Sequence, residues 1–65
     1  MNKCVIVRNK DGAYCAYVGV NPTGGSYTHS LKYAKVFSTR EAATNDLCVE
    51  SEHIESLDDQ LLGMG

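Results

Sequence analysis

The dipeptide Asp11-Gly12 constrains this chain more than any other feature. It lies between two runs rich in β-branched and aromatic residues, Cys4 to Arg8 and Ala13 to Val20. Both positions of an Asp-Gly pair tolerate a positive φ, so the chain reverses tightly and the two runs meet as an antiparallel hairpin. Pairing across this turn sets Val5, Val7, Tyr14, Ala16 and Val18 on one face and Cys4, Ile6, Arg8, Cys15 and Tyr17 on the other. The first set reads as the core face. The second is mixed, suited to partial cover or to binding. Cys4 and Cys15 share it without standing directly opposite each other, which disfavours a disulfide.

The remainder must complete one small core, because 65 residues leave no room for a second domain. Asn21 to Ser26 is the Gly/Pro-rich stretch and reads as a mobile loop; no Gly-Lys-Ser/Thr follows its paired glycines, so it is not a phosphate loop. A short third strand is expected over Tyr27 to Ser30, a helical or 3₁₀ turn over Leu31 to Ala34, and an extended piece over Lys35 to Phe37 that delivers Phe37 inward. Ser38-Thr39-Arg40-Glu41 matches the S-x-x-E capping box, which predicts a helix over 39–50 with Ala42, Ala43, Leu47 and Cys48 on its apolar side. Ala43, Leu47, Glu50, Ile54, Leu57 and Leu61 recur at alternating spacings of four and three before Gly63, which favours further helix over about 52–62. The competing reading makes His53 to Leu57 an edge strand. The expectation is thus a single α+β domain over residues 1–65. In it a three-stranded, mainly antiparallel sheet packs on a helix starting after Ser38, and the C-terminal segment is helical or an added edge strand. The expected core is Val5, Val7, Tyr14, Ala16, Val18, Phe37, Ala43 and Leu47.

Three strings, Val-Ile-Val-Arg-Asn-Lys-Asp-Gly-Ala-Tyr, Ser-Tyr-Thr-His-Ser-Leu and Tyr-Ala-Lys-Val-Phe-Ser-Thr-Arg-Glu-Ala, cover much of residues 4–43. Together they resemble the small uncharacterised proteins of bacteriophage and prophage genomes, with a hairpin, an aromatic-Thr strand, an Ala-x-x-Phe element and a capped helix. The resemblance implies a phage-encoded accessory protein. Such proteins often bind a host protein, including CRISPR-Cas and other nuclease complexes of antiviral defence. Its motifs carry packing and capping roles and no site residues, and it stops short of the acidic C-terminal stretch.

Several chemistries are disfavoured. The apolar run Cys4 to Val7 is far shorter than the roughly 20 residues of a membrane span, and Arg8 ends it too early for a signal peptide. A cytoplasmic location, in the host cell if phage-encoded, is the expectation. Asn21-Pro22-Thr23 has the proline that excludes glycosylation. Three cysteines without a CxxC pair read as reduced, packed thiols. Cys4, Cys15, His29, Cys48 and His53 lack the close ligand spacings of a structural zinc site. Pairing Cys15 or Cys48 with His29 or His53 would make a nucleophile, yet no local signature supports it. Asp58 and Asp59 point apart on helix or strand. The expectation is a protein that is not an enzyme and uses no cofactor or metal.

The charge layout is more informative. Residues 1–40 hold all six basic side chains against Asp11 alone, a net of +5, whereas residues 41–65 hold seven acids and no base, a net of -7. Segregation of this kind points to a charged partner more directly than the total of -2 does. Three arrangements fit. The acidic helix neutralises the basic sheet edge; or Glu50, Glu52, Glu55, Asp58 and Asp59 form a surface that docks on a basic patch of a host protein or complex. In the third, the basic sheet with Tyr14, Tyr17, Tyr27 and Tyr33 binds single-stranded nucleic acid. A purely structural protein, dimeric through Ile6 and Tyr17 or through Ile54, Leu57 and Leu61, is a further class.

Overall fold

The computed structural model describes residues 3–58 and 60. Its central element is β1 (Cys4–Arg8), whose Cys4, Val5, Ile6 and Val7 are all buried. A run of four apolar residues without alternation fits a strand covered on both faces, and full burial of side chains such as Val5 and Ile6 contributes roughly 1.5–3 kcal/mol each. The Asp-Gly turn forms where expected: Gly12 has φ +74, its N–H bonds to the Arg8 carbonyl at 2.8 Å, and the Arg8 N–H bonds to the Ala13 carbonyl at 2.7 Å. Asp11 Oδ1 accepts from the Ala13 N–H at 3.2 Å, closing the bend from inside.

Beyond the turn, β2 (Tyr14–Cys15) pairs antiparallel with β1 through Val7 and Tyr14, and with β3 (Tyr27–Thr28) on its other side. The second strand ends earlier than its β-rich composition suggests. The N–H groups of Val20 and Asn21 both turn back to the Tyr17 carbonyl, at 3.0 Å. The strand alternation stops there, so Val18, expected in the core, is 57% exposed. The loop that follows is tied down by a buried Asn21, whose Nδ2 donates to the carbonyls of Gly25 (2.8 Å) and Tyr27 (2.9 Å). A 3₁₀ turn occupies Leu31–Tyr33. The extended piece after it carries Phe37 to Cys4, with which it exchanges two 2.8 Å backbone bonds.

Helix α1 (Arg40–Asp46) is shorter than predicted and its cap is shifted by one residue. Thr39 is the N-cap, accepting from the Ala42 N–H at 3.0 Å. In that frame Ala42 occupies the position where a capping box needs Glu or Gln, so the reciprocal half of the box is lost. The helix stops before Leu47, which is extended at ψ 134. Thr44, Asn45 and Asp46 are weak helix formers at its end.

The preference for helix over 52–62 is overturned in its first half. β4 (Glu52–Ser56) is the edge strand that the competing reading allowed, paired antiparallel with β1 from Cys4 opposite Ser56 to Arg8 opposite Glu52. Packing decides this: Ile54 stands beside Ile6 in the core, and the strand gives β1 its second neighbour. Helical conformation reappears at Leu57, Asp58 and Gln60, while Leu61 and Gly63 lie outside the described residues. The result is an α+β fold with a four-stranded antiparallel sheet, one strand more than expected, in the order β3-β2-β1-β4.

The register separates the two faces as the sequence implies, but α1 covers the other one. Ala43, wholly buried, packs on Cys4 and Ile6, with Cys15, Phe37, Leu47 and Ile54 completing the cluster. The Val5, Val7 and Tyr14 face is also closed off. Gln60 accepts the Tyr14 hydroxyl bond at 2.8 Å and donates to Glu55 at 3.3 Å, which puts residue 60 over that face.

Candidate functional site

The acidic residues singled out from sequence do not share one surface. Alternation along β4 sends Glu52 to the helix-covered face with Ile54 and Ser56, and sends His53 and Glu55 to the opposite face. Glu52 is 6% exposed. Its carboxylate accepts from the Tyr27 hydroxyl, from the Cys48 N–H at 2.9 Å and from the Cys15 thiol at 3.4 Å. These donors converge because Glu52, Cys15 and Tyr27 all point to one face across three strands, while the turn at residues 48–52 aims the Cys48 amide inward. Burial raises the Glu52 carboxyl, but the bonds from Tyr27, Cys48 and Cys15 outweigh it and hold the group below its ordinary value.

The donors respond in the opposite sense. The bond to Glu52, reinforced by burial, pushes the Tyr27 phenol up to about 12. Burial, followed by the charge of Glu52, pushes the Cys15 thiol up to about 11. A thiol held this way is the reverse of an activated nucleophile. Arg8 stacks over the Tyr27 ring at 4.0 Å and pairs with Asp11 at 2.6 Å. The Arg8 hydrogen bond holds the Asp11 carboxyl well below the usual range. The cluster works as an internal polar staple between the sheet and the turn before β4.

Outside it, Glu50 and Asp58 are exposed at the two ends of β4, and Glu55 is partly exposed between them. Glu55 Oε2 lies 2.7 Å from His53 Nε2, and His53 Nδ1 contacts Asn9. Asp59 lies outside the described residues. Glu41 is exposed on α1. Among the described residues, the basic and acidic halves are joined by one ion pair between Lys35 and Asp46 at 3.0 Å, which raises the lysine. Arg8 spends its charge on Asp11, within its own half of the chain.

The four tyrosines of the basic half do not share one face of the sheet. Tyr14 and Tyr27 lie on opposite faces, as the pairings Tyr14 with Thr28 and Cys15 with Tyr27 require. Lys35 sits over the Tyr17 ring at 4.6 Å and Lys32 over Tyr33 at 5.5 Å. His29 is exposed, 3.9 Å from Asp11. Cys15 and Cys48 are free thiols. Among the described residues no cluster of three or more His, Cys, Asp or Glu side chains is arranged to hold a metal ion, and no helix is long and apolar enough to cross a membrane.

The sequence identified the acids but not the interior role of Glu52. Its signal was present: a strand that places Glu52 beside Arg8 also places it across from Cys15 and Tyr27. That signal becomes readable only once residues 52–56 are taken as strand. Comparison with protein-family models, curated proteins and solved structures gives no match.

Proposed function

We propose that this protein is a non-enzymatic binding protein of the phage accessory type, which modulates a host protein or complex through its acidic C-terminal half. A nuclease complex of antiviral defence, with a basic surface built for nucleic acid, is the class of partner that fits this charge. One observation carries the reading. Few of the opposite charges neutralise each other in the fold, because a single ion pair bridges the two halves among the described residues while Glu41, Glu50 and Asp58 stay exposed. Exposed charge of one sign accelerates encounter with an oppositely charged surface. The contact set is reduced from the five acids of the sequence, because Glu52 is buried and occupied. Glu50, Glu55 and Asp58 are the described members that remain.

The test is capture from host lysate with the wild-type protein and with a Glu50→Gln, Glu55→Gln, Asp58→Asn variant of verified fold. The expected result is a basic partner retained by the wild type, lost by the variant and released by added salt. Equal retention by both proteins would overturn the reading.

A further inference from the structure

The outer edge of β4 offers main-chain groups in a defined pattern. The Asn9 N–H bonds to the Ser51 carbonyl at 2.8 Å and the Leu57 N–H bonds to the Lys3 carbonyl at 2.9 Å. Bonded and non-bonded pairs alternate in an antiparallel ladder, so in the register of Val7 with His53 and Val5 with Glu55, His53 and Glu55 direct their amide and carbonyl groups at β1. Glu52, Ile54 and Ser56 therefore direct theirs outward. The Glu52 N–H is taken by the Cys48 carbonyl at 2.8 Å. What faces outward is the Glu52 carbonyl together with both main-chain groups of Ile54 and of Ser56. No strand of the described residues lies beyond them. Such an edge is a template for another strand unless something guards it.

We propose that β4 receives an extended basic segment of the partner protein as an added strand. This rests on the acidic half being the contact surface, and it specifies how that surface is used. Charge selects the occupant. Residues 41–58 contain no lysine or arginine, and Glu50, Glu55 and Asp58 line the strand and its ends. A second copy carries the same acids and no lysine or arginine over 41–58, so joining two such edges brings like charge together without a basic partner. A segment of alternating basic and apolar residues fits instead. Its basic side chains lie beside Glu55 on one face, and its apolar side chains lie beside half-buried Ile54 on the other.

The probe is a capped peptide alternating lysine and valine, with the glutamate-valine peptide as control, titrated into the full chain. Affinity and amide hydrogen exchange are both read. The lysine peptide is expected to bind, the glutamate peptide not, and exchange at the Ile54 and Ser56 amides is expected to slow. Ser56→Pro removes an outward N–H that the β1 ladder does not use, and is expected to weaken binding roughly tenfold, the loss of about one hydrogen bond. Because the proline variant can lose its fold, exchange in the wild-type protein stands as an independent readout. Salt-sensitive peptide binding that leaves Ile54 and Ser56 exchange unchanged overturns strand addition while the acidic surface stands. No binding of the lysine peptide overturns strand addition too, and the capture experiment then decides the wider reading separately. Slow exchange at both amides without peptide, accompanied by dimers in sedimentation, assigns the edge to a second copy and overturns the proposal.

Discussion

Glu52 and Glu55 sit three positions apart on one five-residue strand and serve opposite purposes. Glu52 faces α1 and is enclosed by a phenol, a thiol and a backbone amide. Glu55 faces the other way, 37% exposed, beside a histidine that is itself 46% exposed. The lesson is that a run of acids in sequence is not a surface until the strand period has been applied to it. One carboxylate organises the interior and the other remains for contact.

That contrast breaks most visibly at Glu52. Replacing Glu52 with Ala leaves the part-buried Cys48 N–H and Tyr27 hydroxyl without their acceptor, at a cost of about 2–4 kcal/mol. For a domain this small the shift in urea midpoint should be large, and a change below about 1 kcal/mol would show that the staple is not holding the turn. Tyr27→Phe is the gentler variant, since it keeps the ring under Arg8 and deletes only the hydroxyl. A loss of about 1.5–3 kcal/mol is expected, because a bond to a charged acceptor disappears while the carboxylate stays buried.

The same cluster gives the stability curve two limbs. The Glu52 carboxyl is held below its unfolded value of 4.5, so its contribution is complete above that pH and is lost as pH falls through the lower folded value. The Tyr27 phenol is raised from 10.0 to about 12, so its contribution is complete below pH 10 and is lost as pH rises towards 12. The Cys15 thiol, raised from 9.0 to about 11, adds its own loss over pH 9 to 11. Urea midpoints measured across pH should therefore show Tyr27→Phe reducing the alkaline limb between pH 10 and 12, and Glu52→Gln reducing the acid limb. An unchanged alkaline limb in Tyr27→Phe would separate the two groups.

Much of this fold was legible in the chain. Asp11-Gly12 set the hairpin, and the two-residue period then sorted β1 and β2 into the correct faces. Which face the helix would cover was not legible, because Cys4, Val5, Ile6 and Val7 are all apolar and the run suits either side. The C-terminal segment misled for a related reason. Ile54, Leu57 and Leu61 keep a helical spacing by composition, while the pairing of Ile54 with Ile6 is a long-range contact that no local pattern displays. Val18 failed because the turn at Tyr17 is stabilised by bonds to its own carbonyl. The charge segregation was fully visible, but the burial of Glu52 within it depended on knowing the strand.

The smallest effects are expected on the Glu55 side, and they sharpen the comparison because they must be small. His53 and Glu55 face each other at 2.7 Å but both are substantially exposed, so solvent screens the pair and competes for its hydrogen bonds. Glu55→Gln should shift stability by no more than about 0.5 kcal/mol. A double-mutant cycle of Glu55→Gln with His53→Gln should give a coupling of about 0.2–1 kcal/mol, shrinking with added salt. Gln60 also bonds Glu55, at 3.3 Å, and is the other neighbour able to contribute. A coupling near 2 kcal/mol that resists salt would mean that the Glu55 face is as enclosed as the Glu52 face. In that case neither carboxylate is available to a partner, and contact would pass to Glu50 and Asp58 at the ends of the strand.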